Sequence, residues 1–156
     1  MFARPLRLAL LWLALVLFLG SASFGPQQTG PVVRRLVPWM SASTFRATHA
    51  VVRKVSHFVE YAVLGGLWLH AFRSRVRFRP STAAWAALAM CLACAVVDET
   101  HQTRVPGRHG SPRDVVLDSL GAMVGVLVIR SRKWPDGVAA EPSATPVTVV
   151  RLDRRA

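Results

Sequence analysis

Four strongly apolar segments, separated by polar stretches, dominate the chain. They lie at about residues 6–24, 58–72, 82–97 and 115–129. A helix that crosses a bilayer needs about 20 residues, with a lower limit of about 17. The first segment meets this length alone, and the others reach it when flanking polar residues such as His57, Asp98 and Asp114 are included. We therefore predict an all-α, polytopic membrane protein with four transmembrane helices in a small bundle.

Basic residues in the short connections indicate the orientation of this bundle. Arginines fill the connection at 73–79, and further basic residues lie at 4–7 and 130–133. Short loops rich in Lys and Arg favour the cytoplasmic side. We therefore expect a multi-pass protein of the plasma membrane with both termini in the cytoplasm. The polar segments at 25–57 and 98–114 then face outward.

The predicted domain boundaries follow from this topology. Residues 1–24 form the first transmembrane helix as a signal anchor, although the small residues at 20–23 also fit a cleaved signal peptide. Residues 25–57 form an extracytoplasmic loop in which Ser43 is expected to cap a helix near 44–54, lying either on the membrane surface or in solvent. Residues 54–130 form a core of three helices, and residues 131–156 form a disordered cytoplasmic tail.

Composition changes this interpretation little. The chain has 156 residues, is 52% hydrophobic, has a mean hydropathy of +0.33 and carries a formal charge of +12. Such a charge raises the question of nucleic acid as a partner. The basic residues, however, cluster between apolar segments, so we attribute them to membrane topology and expect the lipid bilayer, and no nucleic acid, as a partner. Cys91 and Cys94 lie within one apolar segment, where small buried filler is the expected role.

The positions of the acidic residues point to a polar site. The chain has 8 acidic residues, and five of them lie within or at the ends of apolar segments: Glu60, Asp98, Glu99, Asp114 and Asp118. A charged side chain at the bilayer centre costs about 2.5–3.5 kcal/mol even on the insertion scale. Acids retained there usually face a bundle interior or a wet cavity, which makes these residues functional candidates.

Helical spacing groups these acids with other polar residues into three clusters. His57, Glu60 and Tyr61 share one helix face, because they are spaced i, i+3 and i, i+4. Asp98 and Gln102 share a face in the same way, with Glu99 beside them. The third cluster is at the start of the last apolar segment, where Ser111 is the expected N-cap.

Residues after this cap extend the third cluster. Pro112 suits the first helical position and Asp114 the helix N-terminus. Asp118 follows Asp114 by one turn, and Gly121 and Gly125 form a GxxxG motif that permits close helix packing. Arg108 lies in the turn before this helix.

The predicted topology brings all three clusters to the outer face of the bundle. We expect a polar pocket formed by His57, Glu60, Tyr61, Asp98, Glu99, Gln102, Arg108, Ser111, Asp114 and Asp118. Arg108 is suited to bind a phosphate or carboxylate, and the carboxylates with His57 are suited to hold a divalent cation. Glu60, Asp98 and Glu99 are the candidates for acid–base catalysis. The spacing matches no standard catalytic motif, so catalysis, a metal and a cofactor all stay open.

The ordered motifs resemble the VanZ-like family of small bacterial membrane proteins. They are His57-Phe58-Val59-Glu60-Tyr61, then Asp98-Glu99-Thr100-His101-Gln102, then Pro106-Gly107-Arg108 with Ser111, Asp114 and Gly121. The resemblance covers about residues 54–125. One position departs from it, since the family usually has asparagine where this chain has Asp118.

This resemblance implies a role in the cell envelope, because the family is named for a teicoplanin-resistance protein. It suggests a site that binds a cell-wall precursor or lipid-linked ligand and affects glycopeptide susceptibility. One alternative is a membrane-embedded enzyme, with or without a metal, acting on a lipid-linked or phosphorylated envelope substrate. A purely structural role for the acids ranks third, because interhelical hydrogen bonds in membranes average only about 0.6 kcal/mol.

Overall fold

The computed structural model describes residues 4–21, 26–75, 78–104 and 110–132. These residues form five helices: α1 (Arg4–Leu19), α2 (Pro26–Leu36), α3 (Ala42–Arg75), α4 (Pro80–Gln102) and α5 (Pro112–Ser131). The all-helical prediction is confirmed. The predicted tail from residue 133 onward, the residues around the predicted signal cleavage at 22–25, and Arg108 lie outside the described residues.

The long helix α3 is the centre of the fold. It packs against α1, α4 and α5, and α4 in turn packs against α5. Its 34 residues begin well before the second apolar segment, so the region predicted as a loop contains α2 and the first half of α3. Ser41, and not the predicted Ser43, caps this helix, because its hydroxyl accepts a hydrogen bond from the Thr44 backbone N–H at 3.2 Å.

The contact between α3 and α5 is the most extensive in the molecule and depends on glycine. A Cβ atom on Gly121 would collide with the backbone carbonyl of Phe58, and one on Gly125 would collide with that of Ala62. On the opposite helix, a Cβ atom on Gly65 would lie 2.5 Å from the Ala122 carbonyl oxygen. The close approach predicted from the GxxxG motif is therefore confirmed, and glycines on both helices make it possible.

Small side chains also set the position of α4. Ala83, Ala87, Cys91 and Ala95 recur every four residues along this helix and are all buried. They pack with larger core residues of α3, among them Tyr61, Leu64 and Leu69. Cys91 is thus the small buried filler that the sequence predicts, and both cysteines are free thiols.

Within the described residues, α4 alone has the length and composition of a membrane-spanning helix. It has 23 residues, a hydropathy of 1.8 over its most apolar window, and only 28% of that window buried inside the protein. The four transmembrane helices predicted from the sequence are therefore not confirmed. The described part of α1 has 16 residues and is shorter than a full span.

Candidate functional site

Polar residues from three helices converge at one end of the bundle, next to the end of α1. The C-terminal end of α4 lies there, together with the N-terminal end of α5, the middle of α3 and the C-terminal end of α1. This arrangement follows from the antiparallel connections, because α3 runs away from this end and α4 returns to it. Members of all three sequence clusters are thus brought together.

Asp98 is buried at this end of the bundle. It is 1% exposed, and its carboxylate accepts a hydrogen bond from the Gln102 side-chain amide at 2.8 Å. This pair has the i, i+4 spacing that the sequence indicated. The end of α1 covers the carboxylate, since a Cβ atom on Gly20 would lie 2.7 Å from Asp98 Oδ1. A side chain at position 20 would therefore require the Asp98 carboxylate to shift.

Glu99 ties the end of α4 to the start of α5. Its carboxylate accepts a hydrogen bond from the Ser111 backbone N–H. The hydroxyl of Ser111 in turn accepts a bond from the Arg113 N–H at 3.2 Å, so Ser111 is the N-cap that the sequence predicts. Pro112 occupies the first turn, and Asp114 is the acidic residue there. The same serine therefore caps a helix and holds a buried carboxylate in place.

His57 and Asp118 face each other across the α3–α5 contact. His57 Nδ1 lies 3.8 Å from Asp118 Oδ2, which is an ion-pair distance and too long for a direct hydrogen bond. Asp118 is 1% exposed. His57 precedes the apolar part of α3, and the Asp118 carboxylate raises the pKa of its imidazole, against the opposite effect of burial.

Asp114 pairs with two cations at the rim of this end. Its carboxylate lies 3.4 Å from the Arg53 guanidinium and 3.2 Å from the Lys54 ammonium. Both cations are partly exposed, at 27% and 50%, whereas the Asp114 side chain is 15% exposed. The rim is therefore more accessible to solvent than the carboxylates beneath it.

These side chains enclose a small polar cavity. Its volume is about 10 Å³, and it is lined by Arg53, Lys54, His57, Glu99, Gln102, Asp114, Leu117 and Asp118. A space of this size holds about one water molecule. We refer to it as the polar cavity. A bulky ligand cannot enter it, so any such ligand binds at its mouth.

Two residues of the sequence-predicted site, Glu60 and Tyr61, lie away from the polar cavity. Glu60 lines a separate, mostly apolar groove between α1 and α3, where the Trp12 indole N–H donates to the Glu60 backbone carbonyl at 2.9 Å. Tyr61 is fully buried in the core, and its hydroxyl has no hydrogen-bond partner among the described residues. The predicted position of Arg108 falls outside the described residues.

Arg53, Leu117 and Gly20 contribute to this site although the sequence interpretation did not assign them to it. Arg53 and Lys54 precede His57 by four and three residues, so helical spacing alone places them on its face. Gly20 belongs to the small residues that also fit a signal-peptide cleavage site. No local sequence signal connects Gly20 to Asp98, because that contact joins residues far apart in the chain.

The described residues do not favour the divalent-cation alternative. In the four described ranges, no group of three or more His, Cys, Asp or Glu side chains is arranged to hold a metal ion. Asp98, Glu99, Asp114 and Asp118 lie near one another, but each is directed to its own partner or wall of the cavity.

Comparison with known proteins identifies the family. The model of the VanZ/LLP1 family matches residues 6–133. No curated protein and no solved structure matches the chain. Because the family model covers most of the chain, including the helices that form the polar cavity, the protein belongs to the VanZ-like family.

Proposed function

We propose that this VanZ-like protein is a multi-pass protein of the plasma membrane whose polar cavity opens at the outer face. In this proposal, the mouth of the cavity binds a cell-wall precursor or a lipid-linked ligand and so affects glycopeptide susceptibility. The single observation that carries the proposal is the enclosed polar cavity at one end of an otherwise apolar bundle. Charged side chains gathered there are difficult to explain unless the cavity has a use.

Exposed apolar surface supports the membrane placement. Large apolar side chains point outward from several helices, including Leu11 of α1, Trp85 and Val97 of α4, and Leu127 of α5. Trp85 is 73% exposed. Soluble monomers seldom expose contiguous apolar patches larger than a few hundred Å². A hydrocarbon environment explains why these residues face away from the core.

The length of α3 supports a cavity at the membrane boundary. At about 1.5 Å per residue, its 34 residues extend about 51 Å, well beyond a hydrocarbon core of about 30 Å. If its apolar part at 58–72 lies in the bilayer, then Arg53, Lys54 and His57 lie at the boundary between the membrane and water. The arginines at 73–79 then lie on the cytoplasmic side, which agrees with the charge rule for short loops.

An enzymatic role is the weaker alternative. It requires an acid or base that can reach a substrate, and Asp98 and Asp118 are each 1% exposed. A binding role requires only that ligand groups reach the mouth, where Arg53 and Lys54 are accessible. We therefore favour binding over catalysis.

The proposal is tested by expressing the chain in a glycopeptide-sensitive bacterium. Teicoplanin susceptibility and the amount of protein in the membrane are measured together for the wild type, Asp98→Asn, Glu99→Gln and the matched control Ser119→Ala. Ser119 lies on α5, and its hydroxyl bonds within its own helix to the Val115 carbonyl. We expect protection by the wild type and the control, and its loss in the two acid variants at normal protein levels.

Two results would count against this proposal. Absence of any protection by the wild type would remove the glycopeptide role. Full protection by Asp98→Asn and Glu99→Gln would remove the polar cavity from the function, because both changes alter a carboxylate at this end of the bundle while keeping its size.

A further inference from the structure

The polar cavity has charges of opposite sign at its rim and in its interior. At the rim, two cations, Arg53 and Lys54, share the single carboxylate of Asp114, so one positive charge is in excess. In the interior, Glu99 and Asp118 line the cavity, and the His57 imidazole lies 3.8 Å from Asp118. A ligand that complements both parts carries an anion at the rim and a cation in the interior.

Asp118 provides an independent indication that the interior accepts a hydrogen-bond donor. Its side chain is 1% exposed, and it lines the cavity. Oδ2 faces His57, whereas Oδ1 has no hydrogen-bond partner among the described residues. Buried polar atoms are almost always paired with protein or with an ordered group. A donor group inside the cavity would satisfy this oxygen.

The volume of the cavity limits what that donor is. About 10 Å³ accommodates one group of the size of a water molecule. A primary ammonium group has this size and brings three N–H donors with a positive charge. A trimethylammonium group lacks these donors and is several times larger, so it is excluded by both chemistry and volume.

We propose that the polar cavity binds the primary ammonium group of a phosphoethanolamine-type headgroup, with Asp118 and Glu99 facing the ammonium and Arg53 and Lys54 contacting the phosphate. This inference rests on the proposed function, because it names the ligand class of the same site. Two sources carry this chemistry: the headgroup of a membrane phospholipid, and a soluble or cell-wall-attached phosphoethanolamine.

Binding of two soluble headgroups to the full chain tests the proposal. The protein is placed in phosphatidylcholine nanodiscs and titrated calorimetrically with phosphoethanolamine and with phosphocholine. These probes share the phosphate and differ in the three methyl groups on nitrogen. Because one charge-assisted contact corresponds to about a tenfold change in affinity, we expect phosphoethanolamine to bind at least about tenfold more tightly.

Variants assign the two halves of the ligand to the two halves of the site. Asp118→Asn removes the interior charge with little change in shape, and we expect it to weaken phosphoethanolamine binding by about tenfold. Lys54→Gln is expected to weaken both headgroups, since both carry phosphate. Ser119→Ala is the control and should bind as the wild type does. Thermal unfolding of each variant checks that the fold is retained.

The source of the headgroup follows from a second set of nanodiscs that contain phosphatidylethanolamine. If the lipid is the ligand, these discs reduce binding of soluble phosphoethanolamine. If a soluble or wall-attached group is the ligand, binding is the same in both kinds of disc. Either result supports the assigned chemistry.

Equal affinity for the two headgroups, or no measurable binding of phosphoethanolamine, would overturn the proposal. So would unchanged affinity in a folded Asp118→Asn variant. If that variant does not fold, the proposal is decided by the wild type alone, from the ratio of its affinities for phosphoethanolamine and phosphocholine. Suppose that phosphoethanolamine is not preferred, but Asp98→Asn and Glu99→Gln still lose glycopeptide protection. The proposed function would then stand, and the site would bind a different ligand.

Discussion

The interface between α3 and α5 has two adjoining parts that are built in opposite ways. In the first part, which we call the glycine contact, Gly121 and Gly125 touch the backbone of Phe58 and Ala62 with no side chain between the helices. In the second part, one turn away, His57 and Asp118 stand 3.8 Å apart at the polar cavity. The first part has no spare room, and the second encloses a space the size of one water molecule.

This difference shows how the fold positions charged groups in an apolar bundle. His57 directly precedes Phe58, and Asp118 precedes Gly121 by three residues, so the glycine contact fixes the separation of the two polar side chains. A close-packed backbone contact is rigid and leaves few alternative arrangements. The predictions below separate the two parts by changing one at a time.

The largest effect is expected at the glycine contact. In Gly125→Ala, the new methyl group would collide with the Ala62 carbonyl, and the helices must move apart. Overpacking usually costs about 1–3 kcal/mol. Because the obstructing atom belongs to the backbone, we expect the free energy of unfolding to fall by an amount at or above the upper end of this range. Thermal unfolding in detergent measures it. The matched control is Gly30→Ala, where a Cβ atom meets nothing within 4 Å. Equal stability of the two variants would contradict this account.

The next effect concerns the charge of Asp118. His57→Leu leaves this buried carboxylate without its facing cation, and breaking a buried pair in this way costs about 3–5 kcal/mol. Because the two groups are 3.8 Å apart, we expect a loss of stability below this range, measured below about pH 6.5. The double variant His57→Leu/Asp118→Asn removes the charge itself and should recover part of the lost stability. A double variant as unstable as the sum of the single changes would show that the two groups do not interact.

A pH dependence of stability should follow from the same pair. Asp118 raises the pKa of His57 above its ordinary value of 6.5, so the stabilisation is complete below about pH 6.5 and is lost as the pH rises through the raised pKa. Melting temperatures between pH 5 and 9 measure it. Asp118→Asn should flatten this part of the profile. A wild-type profile that rises with pH across this range would contradict the predicted sign.

The smallest effect on stability is expected at the rim of the cavity. Lys54 is half exposed and shares Asp114 with Arg53. Exposed ion pairs contribute about 0–1 kcal/mol. Lys54→Gln should therefore change the free energy of unfolding by less than about 1 kcal/mol while weakening headgroup binding. A large loss of stability in this variant would mean that the rim supports the fold more than the ligand.

Much of the candidate site could be predicted from local spacing in the sequence. The Asp98–Gln102 pair, the Ser111 cap and the GxxxG motif at Gly121 and Gly125 all depend on residues within one or two turns of a helix, and helical periodicity reveals such relations. The convergence of the clusters at one end follows from the antiparallel connections of the bundle. These features needed no knowledge of side-chain packing.

The missed features depend on contacts between distant residues. Glu60 shares a helical face with His57 by spacing, yet it lines the groove toward α1, because the packing of α1 on α3 decides which side of that face is covered. Gly20 meets Asp98 only through the tertiary fold. A helix near 44–54 was expected, but its continuity with the apolar segment at 58–72 in α3 was missed, because apolar length was the criterion for the second segment.

The orientation of the polar cavity is the central claim and can be measured directly. In a Cys91→Ala/Cys94→Ala background, Lys54→Cys places a thiol at the mouth of the cavity, and Arg79→Cys places one at the opposite end of α4. Both positions are exposed. Spheroplasts are treated with a membrane-impermeant thiol reagent before and after permeabilisation. Our account predicts labelling at position 54 in intact spheroplasts and at position 79 only after permeabilisation. The reverse pattern would place the cavity in the cytoplasm and contradict an envelope ligand.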